Sequence, residues 1–561
     1  MHLAYIDGPS GVTVTTLATR ARRTHHLPGY VEYLRFQPGT LQILVGLAQA
    51  DADRSGADGS GCYSATPTTR PYTEGPDTNG GWRHAWVLNA ADDGISRISA
   101  ANHSVWEADW CRRGVVAIAS DVPGESAWYR ARIVTFPSPD EPPVEVATSS
   151  SQLGLLTSST DGQRIAYVEA ICSDRGVIAG NARLLDLDTG EITTVHTGGV
   201  DITSLSWRDD STLLAAGQRR METVIGEIDV SGTWQETWSS RHRTAGTWYP
   251  SAAPFPSGKG SFVAAMHGYG EPPTLVVVTP SGETTLVTTA HAGTKYLRKV
   301  GGTATVASWK APDGLEIEGV LVTPDGQGPH PLIVLIHGGP VAAYRPSWHM
   351  IYNWTPLFAS QGYAVLHANP RGSGGRGQAF AAHVLGDMGG ADTQDFISGI
   401  DALAARGFVD PARVAVAGRS YGGYMSSWLV TQDNRIAAAI PMAPVTNWFS
   451  QHFTSNIPDF DEAFLGASVT DPTGNFFTRS PVFFADRVTT PVLNITGGND
   501  RCTPPTQAIE FHHALTQHGA PSSLVVYPTE GHHIETPAAH TDLLTRMLDF
   551  LHAQMPPVTT I

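Results

Sequence analysis

Cysteine is scarce in this chain: four among 561 residues, at Cys62, Cys111, Cys172 and Cys502. They lack Cys-x-x-Cys spacing, which excludes a zinc ribbon or a disulfide framework as the organising device. Long apolar runs are missing too. No stretch of about 18 apolar residues occurs, so no membrane partner is expected. The N-terminus, Met-His-Leu-Ala-Tyr-Ile-Asp-Gly-Pro, lacks the basic region and apolar core of a secretory signal, and the expected compartment is the cytoplasm. Positive charge is in deficit: 36 Lys and Arg stand against 52 Asp and Glu, a net charge of −16. That disfavours nucleic acid as a partner. No dense acidic loop of the calcium-binding kind appears, and neither a metal nor a cofactor is expected. Nothing in the sequence sets the oligomeric state, and a homo-oligomer is compatible with it.

A chain of this length exceeds one ordinary core and implies two or more domains. The first three hundred residues are short of helix-period segments. They are rich in Thr, Val, Ser, Gly and Asp, in alternating runs broken by turn signals, which reads as all-β. A weak repeat runs through them, in which an aromatic residue or Ser precedes a polar turn and then an apolar strand. Its anchors, Trp110, Ser159, Trp207 and Phe255, lie 49, 48 and 48 residues apart, and an earlier copy at Phe36 sits 74 before Trp110. A period near fifty in an all-β region marks a four-stranded propeller blade. About three hundred residues at this period predict six to seven blades. The long first gap holds a Gly-, Ser-, Thr- and Pro-rich stretch, 51–79, read as an inserted loop.

Near Ser308 the texture changes. Apolar strands expected at 332–336, 363–368, 414–417, 437–442, 492–496 and 524–527 alternate with helices expected at 393–405, 424–430, 506–517 and 538–553. Buried parallel strands separated by helices make a doubly wound α/β domain, whose chemistry gathers at the carboxyl ends of the strands. The predicted organisation is a β-propeller over 1–305 and an α/β-hydrolase domain over 306–561.

The densest signal is Gly418-Arg-Ser-Tyr-Gly422, with an apolar strand before it and a helical run after it. In that setting Gly-x-Ser-x-Gly is a nucleophile elbow, which exposes the Ser420 hydroxyl on a strained turn. A serine hydroxyl needs an imidazole to take its proton and a carboxylate to orient the imidazole. Asp500 follows the strand at 492–496, and His532 follows the strand at 524–527, in the chain order Ser, Asp, His of this fold. His533 competes with His532; the latter is preferred because it directly follows Glu530-Gly531. The oxyanion donors expected are the backbone N–H groups of Tyr421 and of Gly339, within His337-Gly-Gly-Pro340. The run Gly372-Ser-Gly-Gly-Arg-Gly377 matches a dinucleotide fingerprint by spelling alone, because Asp392 downstream begins a helix instead of ending a second strand.

Together, His337-Gly-Gly-Pro340, Asn369-Pro-Arg-Gly-Ser373, Gly386-Asp-Met-Gly-Gly390 with Asp392 and Asp395, the Ser420 elbow, Gly498-Asn-Asp500 and Glu530-Gly-His532 resemble the prolyl oligopeptidase family of serine peptidases. The similarity is closest to its acylaminoacyl-peptidase and aminopeptidase branch. The resemblance implies a seven-bladed propeller, which makes seven the favoured count, capping the hydrolase and limiting substrates to short peptides or small amides. Three positions depart from the family pattern. Met388 stands where Trp is usual, Asn447 precedes Trp448 where Asp is usual, and Cys502 takes the place of a substrate-facing Arg, with Arg501 beside it. Part of the aromatic segment 445–484 is implied to line the acyl-side pocket, two or three of its residues touching substrate with Trp448 and Phe453 first among them, and the rest packing in the core.

The function expected is hydrolysis of short peptides or of aminoacyl and acyl-aminoacyl amides through an acyl-enzyme. The alternative is hydrolysis of an aminoacyl amide or ester within a specialised, antibiotic-type small molecule. A propeller binding protein with an inert hydrolase fold is disfavoured by the intact Ser, Asp and His set.

Overall fold

The computed structural model describes residues 1–49, 52, 81–92, 94–139, 141–176, 178–348 and 354–556. The loop expected at 51–79 lies almost wholly outside them.

Six antiparallel sheets follow one another through the first 288 residues as the blades of a propeller. The first has three strands, His2–Ile6, Gly11–Thr16 and Arg22–His26. The second to fifth have four each, and the sixth combines Phe262–Gly268, Glu271–Thr279 and Gly282–Thr288 with two short pieces. The count is therefore six among the described residues, not the seven that the resemblance favoured. Three of the repeat anchors share one structural phase: Phe36 and Trp207 end, and Trp110 is next to last in, the first strand of a blade, and the apolar run after each is the second strand. Two of them also join blades. Trp110 Nε1 donates to Arg35 O at 3.1 Å, and Trp207 Nε1 to Thr157 O at 3.3 Å, each a carbonyl of the preceding blade. An indole supplies apolar area and one donor, so it can seal a gap between sheets while satisfying an edge carbonyl.

The second domain is one eight-stranded sheet. Its strands are β1 (Thr303–Lys310), β2 (Glu316–Thr323), β3 (His330–Ile336), β4 (Ala364–Asn369), β5 (Val409–Ser420), β6 (Ile436–Pro444), β7 (Val492–Gly497) and β8 (Ser522–Tyr527), in the order 1-2-4-3-5-6-7-8. β3 to β8 pair in parallel, and β2 runs antiparallel to β1 and β4. The helices that matter for the site are α1 (Ala391–Ala405), α2 (Tyr421–Gln432), α3 (Trp448–Thr454), α4 (Pro458–Leu465), α5 (Thr506–Gln517) and α6 (Pro537–Gln554). Leu332 to Ile336 are fully buried, because the sheet is covered on both faces by separate apolar cores. No described helix is long and apolar enough to cross a membrane.

The propeller sits on the strand ends of this domain through buried polar contacts. Asp201 Oδ2 accepts the N–H groups of Gly375 (2.7 Å) and Gly377 (3.0 Å), which accounts for the glycine-rich run that imitates a dinucleotide loop. The Arg345 guanidinium donates to Thr244 Oγ1 (2.7 Å), Trp248 O (2.6 Å) and Thr247 O (3.2 Å). The Ser126 hydroxyl donates to Asp459 Oδ2 at 2.7 Å, docking the start of α4 on the propeller.

Candidate active site

Ser420 is the last residue of β5 and the cap of α2, with φ 63° and ψ −123°. A left-handed φ on a non-glycine residue is strain that the surroundings must hold. The flanking glycines show how. A Cβ on Gly418 would lie 2.5 Å, and one on Gly422 2.3 Å, from Ile336 O, so the elbow closes against β3 only without side chains there. Ser420 is half-buried, and its Oγ makes no hydrogen bond among the described residues.

Asp500 and His532, on the loops after β7 and β8, meet at 2.8 Å between Asp500 Oδ2 and His532 Nδ1. Both are buried. The N–H groups of Cys502 (2.9 Å) and Thr503 (3.0 Å) donate to Asp500 Oδ1, and the Thr503 hydroxyl lies 2.9 Å from Oδ2 and 3.2 Å from His532 Nδ1. That hydroxyl also lies 2.9 Å from Ala443 O, at the end of β6, where Pro444 pairs with Ser420. Thr503 thus ties the Asp–His pair to the strand beside the elbow. It went unnoticed in the sequence; the only local signal was its place directly after the acid loop. With Nδ1 engaged by the carboxylate, the other ring nitrogen, Nε2, is left for proton exchange with a hydroxyl. Among the described residues no hydrogen bond joins Asp500 to His533, whose buried Nε2 has no hydrogen-bond partner. Its ring lies 6.3 Å from that of Trp248, and burial, with Arg419 and His532 adding to it, holds it neutral with a pKa well below the ordinary value.

The two expected oxyanion donors, Gly339 N–H and Tyr421 N–H, have no acceptor among the described hydrogen bonds of the turns and caps around them. Gly339 has φ 116°, and a Cβ on neighbouring Gly338 would come 3.5 Å from Ser420 Cβ, so this loop passes directly over the elbow. His337 holds the loop in shape. Its Nδ1 lies 2.7 Å from Gly338 O and its Nε2 3.1 Å from Ser373 Oγ, while burial lowers its pKa to about 4. Tyr421 is anchored by its own hydroxyl, which donates to the buried Asp392 at 2.7 Å.

The expected acyl-side contacts divide. Trp448 is a core residue, 1 % exposed, with its ring 5.0 Å from Tyr424 and 6.3 Å from Phe460. Asn447 caps α3, and that start turns Trp448 and Gln451 inward and Phe449 and Phe453 outward. Phe453 is 62 % exposed and packs on Phe449. The Cys502 side chain is buried in the same core, and its carbonyl accepts from Gln451 Nε2 and Ser455 Oγ, both at 2.7 Å. Burial, and secondarily Asp500, pushes its thiol pKa well up, so it adds apolar surface and no charge. The Arg501 main chain accepts from Asn456 N at 3.1 Å. Among the described residues no group of three or more His, Cys, Asp or Glu side chains converges as a metal site requires.

Residues 348–556 match the model of the prolyl oligopeptidase family. The chain is 37% identical over 227 residues to the uncharacterized peptidase YuxL of Bacillus subtilis (strain 168), covering 40% of this chain and 34% of that protein. It is 29% identical over 252 residues to the acylamino-acid-releasing enzyme of Mus musculus, covering 43% of this chain and 34% of that protein. It spans about a third of the length of these curated relatives. Among solved structures, the acylaminoacyl peptidase of Pyrococcus horikoshii superposes with a TM-score of 0.81 at 19% identity, over 99% of this chain and 86% of that one, a likeness of fold. An elbow serine, an acid loop and a histidine loop ordered on this sheet agree with the match of residues 348–556 to the prolyl oligopeptidase family.

Proposed function

We propose that this chain is a serine peptidase of the acylaminoacyl-peptidase kind, cleaving short peptides or acyl-aminoacyl amides through Ser420, Asp500 and His532. The observation that carries the reading is the buried 2.8 Å contact between His532 Nδ1 and Asp500, set beside a strained serine elbow. The name of the mouse relative supports the substrate class.

In the proposed reaction Ser420 Oγ attacks the substrate carbonyl while His532 Nε2 takes its proton. Gly339 N–H and Tyr421 N–H stabilise the oxyanion that forms. The C–N bond then breaks, and its electron pair stays on nitrogen, which receives the proton from His532. Water enters, gives a proton to His532 and cleaves the acyl-enzyme, and Ser420 is regenerated. Asp500 stabilises the imidazolium in each half and is not itself protonated. Among the described residues no hydrogen bond joins Ser420 to His532, and in the proposed reaction one forms when substrate enters, as is common for such pairs.

The propeller resting on the strand ends restricts access and favours short substrates. With a buried Cys502 in place of a cation, this position presents no charge to the acyl side, which favours apolar acyl-side residues. A fluorophosphonate probe tests the reading. Wild type is expected to label on Ser420 and to hydrolyse acyl-aminoacyl chromogenic amides, and Ser420→Ala to do neither. Full amide hydrolysis by Ser420→Ala would overturn the assignment, and turnover of esters with none of any amide would overturn the peptidase reading.

A further inference from the structure

A cavity of about 100 Å³ lies against His532. Its walls include Trp248 from the propeller, Trp354, Arg419, His533 and Leu543 of α6. None of the oxyanion donors borders it, nor does Cys502. Its chemistry is mixed. Trp248, 45 % exposed, offers an open ring face, and Trp354 is fixed by its Nε1 donating to His540 Nε2 at 3.2 Å. His533 Nε2 is buried and has no hydrogen-bond partner. An unpaired buried ring nitrogen is costly and becomes favourable when a ligand pairs with it.

Stereochemistry assigns the cavity a side of the reaction. At the tetrahedral carbon four groups diverge: Ser420 Oγ, the oxyanion, the acyl chain and the leaving nitrogen. The oxyanion points to Gly339 and Tyr421, and the leaving nitrogen must face the imidazole that protonates it. The cavity borders His532 but neither Ser420 nor the oxyanion donors, so a group that reaches it from the scissile carbonyl passes the imidazole, as the leaving nitrogen does. An aromatic ring is what its lining favours, since Trp248 offers a face to stack on and His533 Nε2 a polar contact.

We propose that this cavity receives the leaving group of the scissile amide and selects a single aromatic ring directly after the scissile bond, stacked on Trp248 with a polar edge on His533 Nε2. The inference rests on the hydrolase reading above. Two sources share this chemistry, an arylamine and an aromatic amino acid, and the substrate series separates them.

The experiment holds one N-acyl-aminoacyl group constant and varies the leaving group across aniline, phenylalaninamide and glycinamide, with the full chain as wild type, Trp248→Ala and Leu543→Phe. Wild type is expected to favour one or both aromatic members over glycinamide in kcat/KM. Trp248→Ala, which removes the ring face, and Leu543→Phe, which fills the cavity, should each lower the aromatic members by about tenfold and change glycinamide little. Deacylation should be identical throughout, because every substrate yields the same acyl-enzyme. Equal loss on all three substrates, or no loss on the aromatic ones, overturns the inference while labelling of Ser420 persists. If wild type neither labels nor cleaves any member, the hydrolase reading fails, and this one with it.

Discussion

Tyr421 has two roles in the proposed site, through its main-chain N–H and through the hydroxyl that holds it to Asp392, and the second can be measured by pH. Asp392 is 1 % exposed and accepts from Tyr421 Oη (2.7 Å), Thr393 N (3.0 Å) and Gly389 N (3.2 Å). Burial dominates these donors and raises its pKa from 3.8 to about 6. A shift of about 2 units corresponds to about 3 kcal/mol. Between pH 4 and pH 6 the folded chain keeps a proton that the unfolded chain has released. The contribution of this carboxyl to stability is therefore full below pH 4, falls as pH rises, and levels out above pH 6 about 3 kcal/mol lower. Asp392→Asn removes the titration and keeps a carbonyl to accept the Tyr421 hydroxyl. Urea unfolding of both proteins at matched pH should show the difference between them moving by about 3 kcal/mol in the variant's favour from pH 4 to pH 7. Whatever constant cost the amide imposes on Gly389 and Thr393 leaves this slope untouched. Parallel curves would refute the reasoning. Tyr421→Phe releases the elbow instead, and should lower kcat by up to about 100-fold, as for a misplaced oxyanion donor, with KM little changed.

Two further substitutions read the site's packing. Trp448→Ala should cost about 3–5 kcal/mol in urea unfolding, and Phe453→Ala, on an exposed ring, no more than about 0.5 kcal/mol; the reverse order would mean that α3 is turned the other way. Gly422→Ala places a Cβ 2.3 Å from Ile336 O, so the elbow cannot close on β3. Fluorophosphonate labelling of Ser420 should be lost even where circular dichroism shows the domain folded.

Much of the hydrolase domain was legible because its signals are local. Continuous apolar runs placed β3 to β8 within a few residues, since strands buried on both faces cannot hide among polar positions. The elbow, the acid loop and the preference for His532 over His533 were read from short turn motifs, and the 2.8 Å contact of His532 with Asp500 agrees with that preference. What escaped was set by partners far along the chain. The Asp392–Tyr421 bond spans 29 positions and the Asp201–Gly375 bond 174, and no spacing rule encodes either. The inward turn of Trp448 depends on where α3 starts, and that register comes from the Asn447 cap. The blade count came out one below the favoured value. The first blade has only three strands, and its last, Arg22–His26, is largely exposed and carries no apolar signature.

Why the proposed chemistry is given to one histidine of several near the elbow follows from the counter-charge available to each. Burial lowers the pKa of His337 to about 4 and of His367 to about 3. Their rings pack on Tyr344 at 5.3 and 4.5 Å and bond to neutral groups, Gly338 O with Ser373 Oγ and Thr355 Oγ1 respectively. His533 is likewise buried, with Arg419 and His532 beside it. In a low-dielectric setting an imidazole without an anion stays neutral and serves as a rigid hydrogen-bonding spacer. Among these four, His532 alone has a carboxylate on its ring nitrogen. Of the neutral rings His337 shapes the loop over the elbow, and none of them has the counter-charge to compete for the serine proton, which in the proposed reaction the ring paired with Asp500 accepts and returns. Moving that carboxylate's partner from position 532 to 533 would therefore require rebuilding the loop after β8, not exchanging two like side chains.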